Sequence, residues 1–203
     1  MSYAISAAAV TASLASETAS VPANNAAGVF NDALLRFESL TGSAFADKLV
    51  GDDGGNTLTG LAGIDVLVGG NGSDELSGGN DADLLVGGAG GDVLLGGAGA
   101  DTFDFNTVSE SRAGRVGAAD AIADFEGPDV IDLQEIDADT GSGGNQAFSF
   151  IGKDAFSGTA GELRFELDGI LTHVQGDVDG NGKADLQITI DAQIAGAVGD
   201  WVL

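Results

Sequence analysis

Seven consecutive nine-residue units run from Gly42 to Asp104 without an insertion: GSAFADKLV, GDDGGNTLT, GLAGIDVLV, GGNGSDELS, GGNDADLLV, GGAGGDVLL and GGAGADTFD. Position six holds Asp47, Asn56, Asp65, Asp74, Asp83, Asp92 and Asp101, and position eight holds Leu49, Leu58, Leu67, Leu76, Leu85, Leu94 and Phe103. A strict short period admits few folds other than a solenoid, because each unit makes a strand too short to stand alone and must stack on its neighbours. Each unit reads as a six-residue turn followed by such a strand. Glycine supplies the positive φ and close backbone approach that the turns need. Two units complete one coil, so turns alternate between two sides and residues eighteen apart stack. The expected fold is all-β: a parallel β-roll over 42–104 with the position-eight ladder inside, capped by a small antiparallel β-domain.

Stacking places Asp47 beside Asp65, Asp65 beside Asp83, Asp83 beside Asp101, and Asp74 beside Asp92. The pair Asn56 and Asp74 is the weakest, since one partner is neutral. Stacked carboxylates repel unless a cation lies between them. The whole chain has the same bias, with 32 acidic residues against 7 basic and a net charge of −25. This argues against nucleic acid and anionic membrane surfaces as partners. Carboxylate and carbonyl oxygens on flexible loops suit calcium better than magnesium. The units also resemble the RTX calcium-binding nonapeptide, GGxGxDxUx. That resemblance implies an RTX β-solenoid with Ca2+ held between consecutive same-side turns by position-six Asp and turn carbonyls. Residues 42–104 contain eighteen glycines, each costing about 0.5–1 kcal/mol more than alanine to order. One leucine per unit is a thin core against that cost, so the roll is expected to be loose or unfolded without calcium. Asp81 replaces a consensus glycine, which either strains its turn or adds a ligand.

The flanks break the period. Residues 1–41 read as an irregular entry and N-terminal cap of the solenoid. Their first basic residue is Arg36, so the start is not read as a secretory leader, and no apolar run reaches the roughly 18 residues of a membrane span. The expectation is the C-terminal end of a longer protein. Residues 105–203 read as the cap. "ADAIADFEGPDVIDLQEID" has short strands around a turn at Glu126–Pro128. "ELRFELDGILTHVQGD" is a hairpin with alternating Leu163, Phe165 and Leu167 leading into Asp168-Gly169, and "LQITI" at 186–190 is a further strand. With "FSFIGKDAFSGTAGELRF", this region resembles the C-terminal domain of serralysin-type secreted metalloproteases, and alginate epimerase R-modules share part of it. The last residues, Asp200-Trp201-Val202-Leu203, resemble the serralysin export signal read by a type I (ABC) exporter. The resemblance implies a bacterial protein that is extracellular or on the cell surface.

Catalytic chemistry is not encoded. There is no cysteine and no HExxH, and the single histidine is His173 in a hairpin strand, so neither protease nor epimerase activity is carried over and the chain is read as a non-enzyme. "GDVDGNGKADLQI" is a second oxygen-rich loop. Asp177, Asp179, Asn181 and Asp185 stand at positions 1, 3, 5 and 9 of a calcium-loop pattern, Lys183 offers its carbonyl at 7, and Ile188 replaces the usual acid at 12. A calcium loop and a tight hairpin remain equal readings of it. The expected function is a calcium-binding RTX module that folds on extracellular calcium after type I secretion. Two other classes stay open: a polysaccharide-binding or self-assembling cell-surface or matrix protein, and the C-terminal fragment of a secreted enzyme whose catalytic domain lies upstream. One outer face of the roll carries Val50, Val66, Val68, Leu84 and Val86, the other mainly Thr57, Thr59, Glu75 and Ser77. The aliphatic face is expected to be covered, by the flanks or by another copy.

Overall fold

The computed structural model describes residues 8–15, 18–21, 30–33, 37–114 and 119–191. Within them every regular element is a strand. The N-terminal strands are β1 (Thr11–Ser13), β2 (Thr18–Val21), β3 (Phe30–Ala33) and β4 (Ser39–Thr41). The nonamers supply β5 (Lys48–Val50), β6 (Thr57–Ala62), β7 (Val66–Gly72), β8 (Glu75–Asn80), β9 (Leu84–Gly90), β10 (Val93–Ala98) and β11 (Thr102–Asp104). After them come β12 (Asp120–Ile122), β13 (Val130–Asp132), β14 (Ser149–Phe150), β15 (Glu162–Asp168), β16 (Leu171–Asp177) and β17 (Leu186–Ile190).

Successive nonamer strands alternate between two sheets, as the period requires. One sheet has the order β13-β11-β9-β7-β5-β1-β2-β3 and the other β14-β15-β16-β17-β12-β10-β8-β6-β4. Parallel registers join residues eighteen apart, so the position-eight side chains form two columns. Ala12, Leu49, Leu67, Leu85, Phe103 and Ile131 align in the first sheet. Leu40, Leu58, Leu76, Leu94, Ile122 and Ile190 align in the second. All of these are fully buried. One apolar side chain per strand therefore builds a continuous core, because each sits directly on the next.

β12 and β13 stack in parallel on β10 and β11, so both columns run on beyond Asp104. Beyond them lies the antiparallel meander β15–β16–β17, which joins the roll through the parallel β12–β17 pair. The turn before β13 falls where expected, with Asp129 N donating to Glu126 O at 3.2 Å. The β15–β16 hairpin is shifted by one residue from the sequence reading. Its closing pair is Asp168↔Leu171, so the turn residues are Gly169 and Ile170, with Gly169 at φ +64°. Glycine in the first central position is what a type II′ turn demands.

Among the described residues the aliphatic outer face is more enclosed than the opposite one. Val50, Val66, Val68, Leu84 and Val86 are each half-buried, while Thr57 and Glu75 on the opposite face are exposed. Along a parallel ladder each outward side chain borders its neighbours on adjacent strands, which screens part of the surface.

Candidate metal centre

The turns between strands bring the position-six side chains into two columns. The column on one side of the roll holds Asp47, Asp65, Asp83 and Asp101. The other holds Asn56, Asp74 and Asp92. Within each column the contact is the same: the backbone N–H of one residue donates to Oδ1 of the residue one coil on. Asp47 N reaches Asp65 at 2.7 Å, Asp65 N reaches Asp83 at 2.8 Å, and Asp83 N reaches Asp101 at 2.8 Å. On the opposite side Asn56 N reaches Asp74 at 2.7 Å and Asp74 N reaches Asp92 at 2.9 Å.

Both columns continue past the nonamers. Asp92 N donates to Asp120 Oδ1 at 2.8 Å and Asp101 N to Asp129 Oδ1 at 3.1 Å. These partners lie 28 residues apart in sequence rather than 18, because a ten-residue insertion separates the last nonamer from β12. Asp124 also caps a turn, accepting from Gly96 N and Gly97 N at 2.9 Å each.

The second carboxylate oxygen separates the column members into two groups. Oδ2 of Asp65, Asp74, Asp83, Asp92, Asp101 and Asp120 is buried and accepts no hydrogen bond. Asp47 at one end is fully engaged: Val10 N and Ser43 Oγ donate to Oδ1, and Ser43 N donates to Oδ2. Asp129 at the other end accepts from Glu126 N at 2.7 Å with Oδ2. Asn56 exchanges bonds with Asp52, accepting from its N–H at 2.7 Å and donating to Oδ1 at 3.3 Å. Five interior carboxylates and Asp120, the last member of its column, thus each keep one oxygen without a donor, three to a side.

Burying such oxygens costs free energy unless something charged faces them. Desolvation raises the pKa of Asp65 and Asp92 to about 6, of Asp83 to about 7 and of Asp120 to about 8. The donated backbone N–H groups pull these values down, and the neighbouring carboxylates of the same column push them up again: Asp65 and Asp101 act on Asp83, and Asp92 acts on Asp120. Asp74, Asp101 and Asp129 are raised for the same leading reason.

Glycine at position one leaves room beside five of the orphaned oxygens, those of Asp65, Asp74, Asp83, Asp92 and Asp101. A Cβ built on Gly78 would collide with Asp83 Oδ2 and lie 2.8 Å from the carbonyl oxygen of Gly96; one on Gly60 would collide with Asp65 Oδ2 and lie 2.6 Å from Gly78 O. A donor-less carboxylate oxygen and a carbonyl oxygen from the next coil therefore converge where the side chain is missing. An all-oxygen, anionic donor set of this kind fits a hard cation. The deviations from the glycine pattern are absorbed as strain. Leu61 and Asp81 both adopt left-handed backbone, at φ +90° and +76°, and Asp81 Oδ2 accepts from Gly63 N of the preceding coil at 3.2 Å.

The loop between β16 and β17 forms a second acidic group. One carboxylate oxygen each from Asp177, Asp179 and Asp185 lies within 4.8 Å of the others. The loop also has the bonds of a tight hairpin. Both Asp177 oxygens accept 2.8 Å bonds, from Gly180 N and Gly182 N. Asp179 Oδ1 accepts from Asn181 N at 3.0 Å, Asn181 Oδ1 from Lys183 N at 2.9 Å, and Asp185 Oδ2 from Val178 N at 3.0 Å. His173 is tied into the sheet by a 3.2 Å bond between Nδ1 and Thr189 Oγ1.

The peptidase M10 serralysin C-terminal family matches residues 39–202. The chain belongs to this family. The matched span contains the whole nonamer array, both continuation strands and the antiparallel meander. It is the non-catalytic region of the serralysins, which are secreted bacterial proteins. No curated protein sequence matches the chain. Among solved structures, the AlgE6R3 subunit of the mannuronan C5-epimerase of Azotobacter vinelandii is 28% identical, with 78% of each chain covered and a TM-score of 0.39. The AlgE6R2 subunit of the same enzyme is 22% identical over 79% of this chain and 88% of its own, with a TM-score of 0.40. No helix among the described residues is long and apolar enough to cross a membrane.

Proposed function

We propose that this serralysin C-terminal domain is a non-enzymatic calcium-binding module whose folding is gated by calcium. The observation that supports it best is the set of six buried Asp Oδ2 atoms without a hydrogen-bond donor, stacked in two columns. In water as sole partner this arrangement is self-repelling; with divalent cations it becomes the scaffold. Asp65, Asp83 and Asp101 would hold calcium on one side and Asp74, Asp92 and Asp120 on the other, with glycine carbonyls completing the set. Asp47, Asn56 and Asp129, three of the four column ends, would contribute less, since their oxygens already accept bonds from the chain. Asp177, Asp179, Asn181 and Asp185 would form an additional, independent site.

Calcium supplies charge neutralisation and ligation here. The glycine-rich turns stay in register only when the carboxylate columns are neutralised, so metal binding and folding are one equilibrium. A chain that folds on meeting extracellular calcium stays extended in a low-calcium cytosol, which suits passage through a type I exporter. The proposed export signal, Asp200–Leu203, lies outside the described residues.

Isothermal titration of the chelator-treated chain with calcium tests this reading. The expected result is multi-site binding with a large ordering enthalpy, reduced in Asp83→Ala. Absence of calcium heats at millimolar metal would refute it.

A further inference from the structure

The last turn of the Asp92 column differs from those beneath it. A Cβ built on Gly69 would lie 2.5 Å from the carbonyl oxygen of Gly87, one coil on, and Gly60 and Gly78 meet the next coil in the same way. On Gly87 the three nearest atoms all belong to Asp92, and no carbonyl oxygen comes within 3.1 Å. The stretch that should supply the carbonyl begins with Phe105 in place of glycine. The last turn therefore lacks an oxygen ligand, yet both carboxylates there keep an orphaned one. Asp92 is 1% accessible, Asp120 is fully buried, and neither Oδ2 accepts a hydrogen bond. Asp120 Oδ1 accepts from Asp92 N at 2.8 Å, so the two carboxylates adjoin.

A third carboxylate stands beside them. Continued past Asp104, the nine-residue register puts Glu110 at position six, eighteen residues after Asp92. The chain gives that place in the column to Asp120 instead, and Glu110 stays next to it. Ser111, the following residue, is fully buried, and its Oγ accepts from Asp120 N at 2.8 Å and donates to Gln187 O at 2.5 Å. The Glu110 side chain is half-buried, and its Oε2 accepts from Asn106 N at 2.8 Å. No basic side chain pairs with it among the described residues. Burial raises the pKa of both Asp92 and Asp120, and the Glu110 charge is a further cause at each, so its carboxylate lies within electrostatic reach of the pair. The other column also gains a carboxylate at its last turn, but one already engaged. Asp124 accepts from Gly96 N and Gly97 N with its two oxygens, and Asp129 Oδ2 accepts from Glu126 N.

Three adjoining acids without a basic partner, two of them sealed from water, are the complement of a small multivalent cation. Resting on the calcium reading above, we propose that Glu110 is a further calcium ligand, which completes with Asp92 and Asp120 a site at the end of the roll where the repeat's own carbonyl is missing. Glu110 puts a full charge where the interior turns offer a neutral carbonyl, and calcium affinity follows ligand charge count. This site therefore binds more tightly than the interior ones and fills first, and the coils that carry it are the first to be ordered. The other role open to Glu110 is that of a turn cap, holding Asn106 N. Glutamine keeps that bond and loses the charge, which separates the two roles.

The test follows calcium binding to the chelator-treated full chain by competition with a fluorescent calcium chelator, which resolves the tightest step from the weaker ones. Glu110→Gln should weaken the tightest step about tenfold or more and leave the weaker steps unchanged. Glu75→Gln, on the exposed outer face, makes the same change in net charge and should leave every step unchanged. Hydrogen exchange of the wild type at about one calcium per chain is a second readout that needs no variant. Protection should appear in 87–105 and 119–122 before it appears in 42–80. If the wild type binds no calcium, the calcium reading fails and this proposal with it. If the wild type binds but Glu110→Gln matches Glu75→Gln, the calcium reading stands, Glu110 is a turn cap and the proposal is wrong. Protection that appears first in 42–80 also overturns it, whether or not Glu110→Gln folds.

Discussion

Replacing Gly78 by alanine separates the two roles that glycine plays in this roll. Gly78 does not occupy the left-handed region, unlike its neighbour Gly79 at φ +122°. On backbone grounds alone, alanine at 78 should stabilise by about 0.4–1 kcal/mol through the unfolded state. The new Cβ, however, collides with the orphaned Asp83 Oδ2 and comes to 2.8 Å from Gly96 O. Overfilling a packed site costs about 1–3 kcal/mol. Losing a cation held there at about a hundred times its dissociation constant removes a further 2.7 kcal/mol or so. The net expectation is a loss of about 3–5 kcal/mol in saturating calcium. Gly127 is the control, with ordinary φ and nothing within 4 Å of a built Cβ, so Gly127→Ala should be neutral or slightly stabilising. Urea unfolding in excess calcium gives both values from the midpoint at constant slope, and calcium stoichiometry is measured on the same samples. If Gly78→Ala keeps the wild-type midpoint and stoichiometry, the space beside Asp83 Oδ2 is not a cation site and the reasoning fails.

Asp83→Ala should lower calcium affinity and calcium-dependent stability more than Asp47→Ala, because Asp83 sits inside a column with a free Oδ2 whereas both Asp47 oxygens are already bonded; equal losses in parallel calcium titrations would contradict the column scheme. Without calcium, stability should rise as pH falls. Asp65, Asp83, Asp92 and Asp120 have folded values raised to between about 6 and 8 from 3.8, so the folded state takes up protons that the unfolded state releases, by about 1.4 kcal/mol per pH unit for each proton. Chelated chain should therefore show more β-signal near pH 5 than near pH 8, whereas calcium affinity changes in the opposite sense; a chelated state that loses structure on mild acidification would contradict this. Deleting Asp200–Leu203 should abolish secretion through a type I exporter while leaving calcium-dependent folding intact, as read by immunoblot of medium and cells; undiminished secretion would remove the export reading.

The strict nine-residue period made the roll legible, because each unit repeats the same turn and the same buried side chain. Leu49 to Phe103 and Asp47 to Asp101 fall where the period puts them. The period also hid something. The signal Asp-x-Ile recurs at Asp120–Ile122 and Asp129–Ile131, again nine apart, but the insertion after Phe105 displaced it from register. Asp120 was missed for that reason, although it is fully buried and has the most strongly raised pKa in the columns. The bond from Asp81 to Gly63 and the strained φ of Leu61 depend on the coil beneath them, so no local pattern foretells them. The one-residue shift of the β15–β16 turn arose because Asp168-Gly169 and Gly169-Ile170 are both acceptable two-residue turns, and cross-strand register chose between them.

Far-UV circular dichroism of the full chain, first in chelator and then through a calcium titration at neutral pH, tests the central claim most directly. Calcium-gated folding predicts little β-signal in chelator and a cooperative gain as calcium rises, reversed by renewed chelation and not reproduced by magnesium at equal concentration. A full β-spectrum in chelator that calcium leaves unchanged would contradict the account, since the six orphaned carboxylates would then be tolerated without a cation.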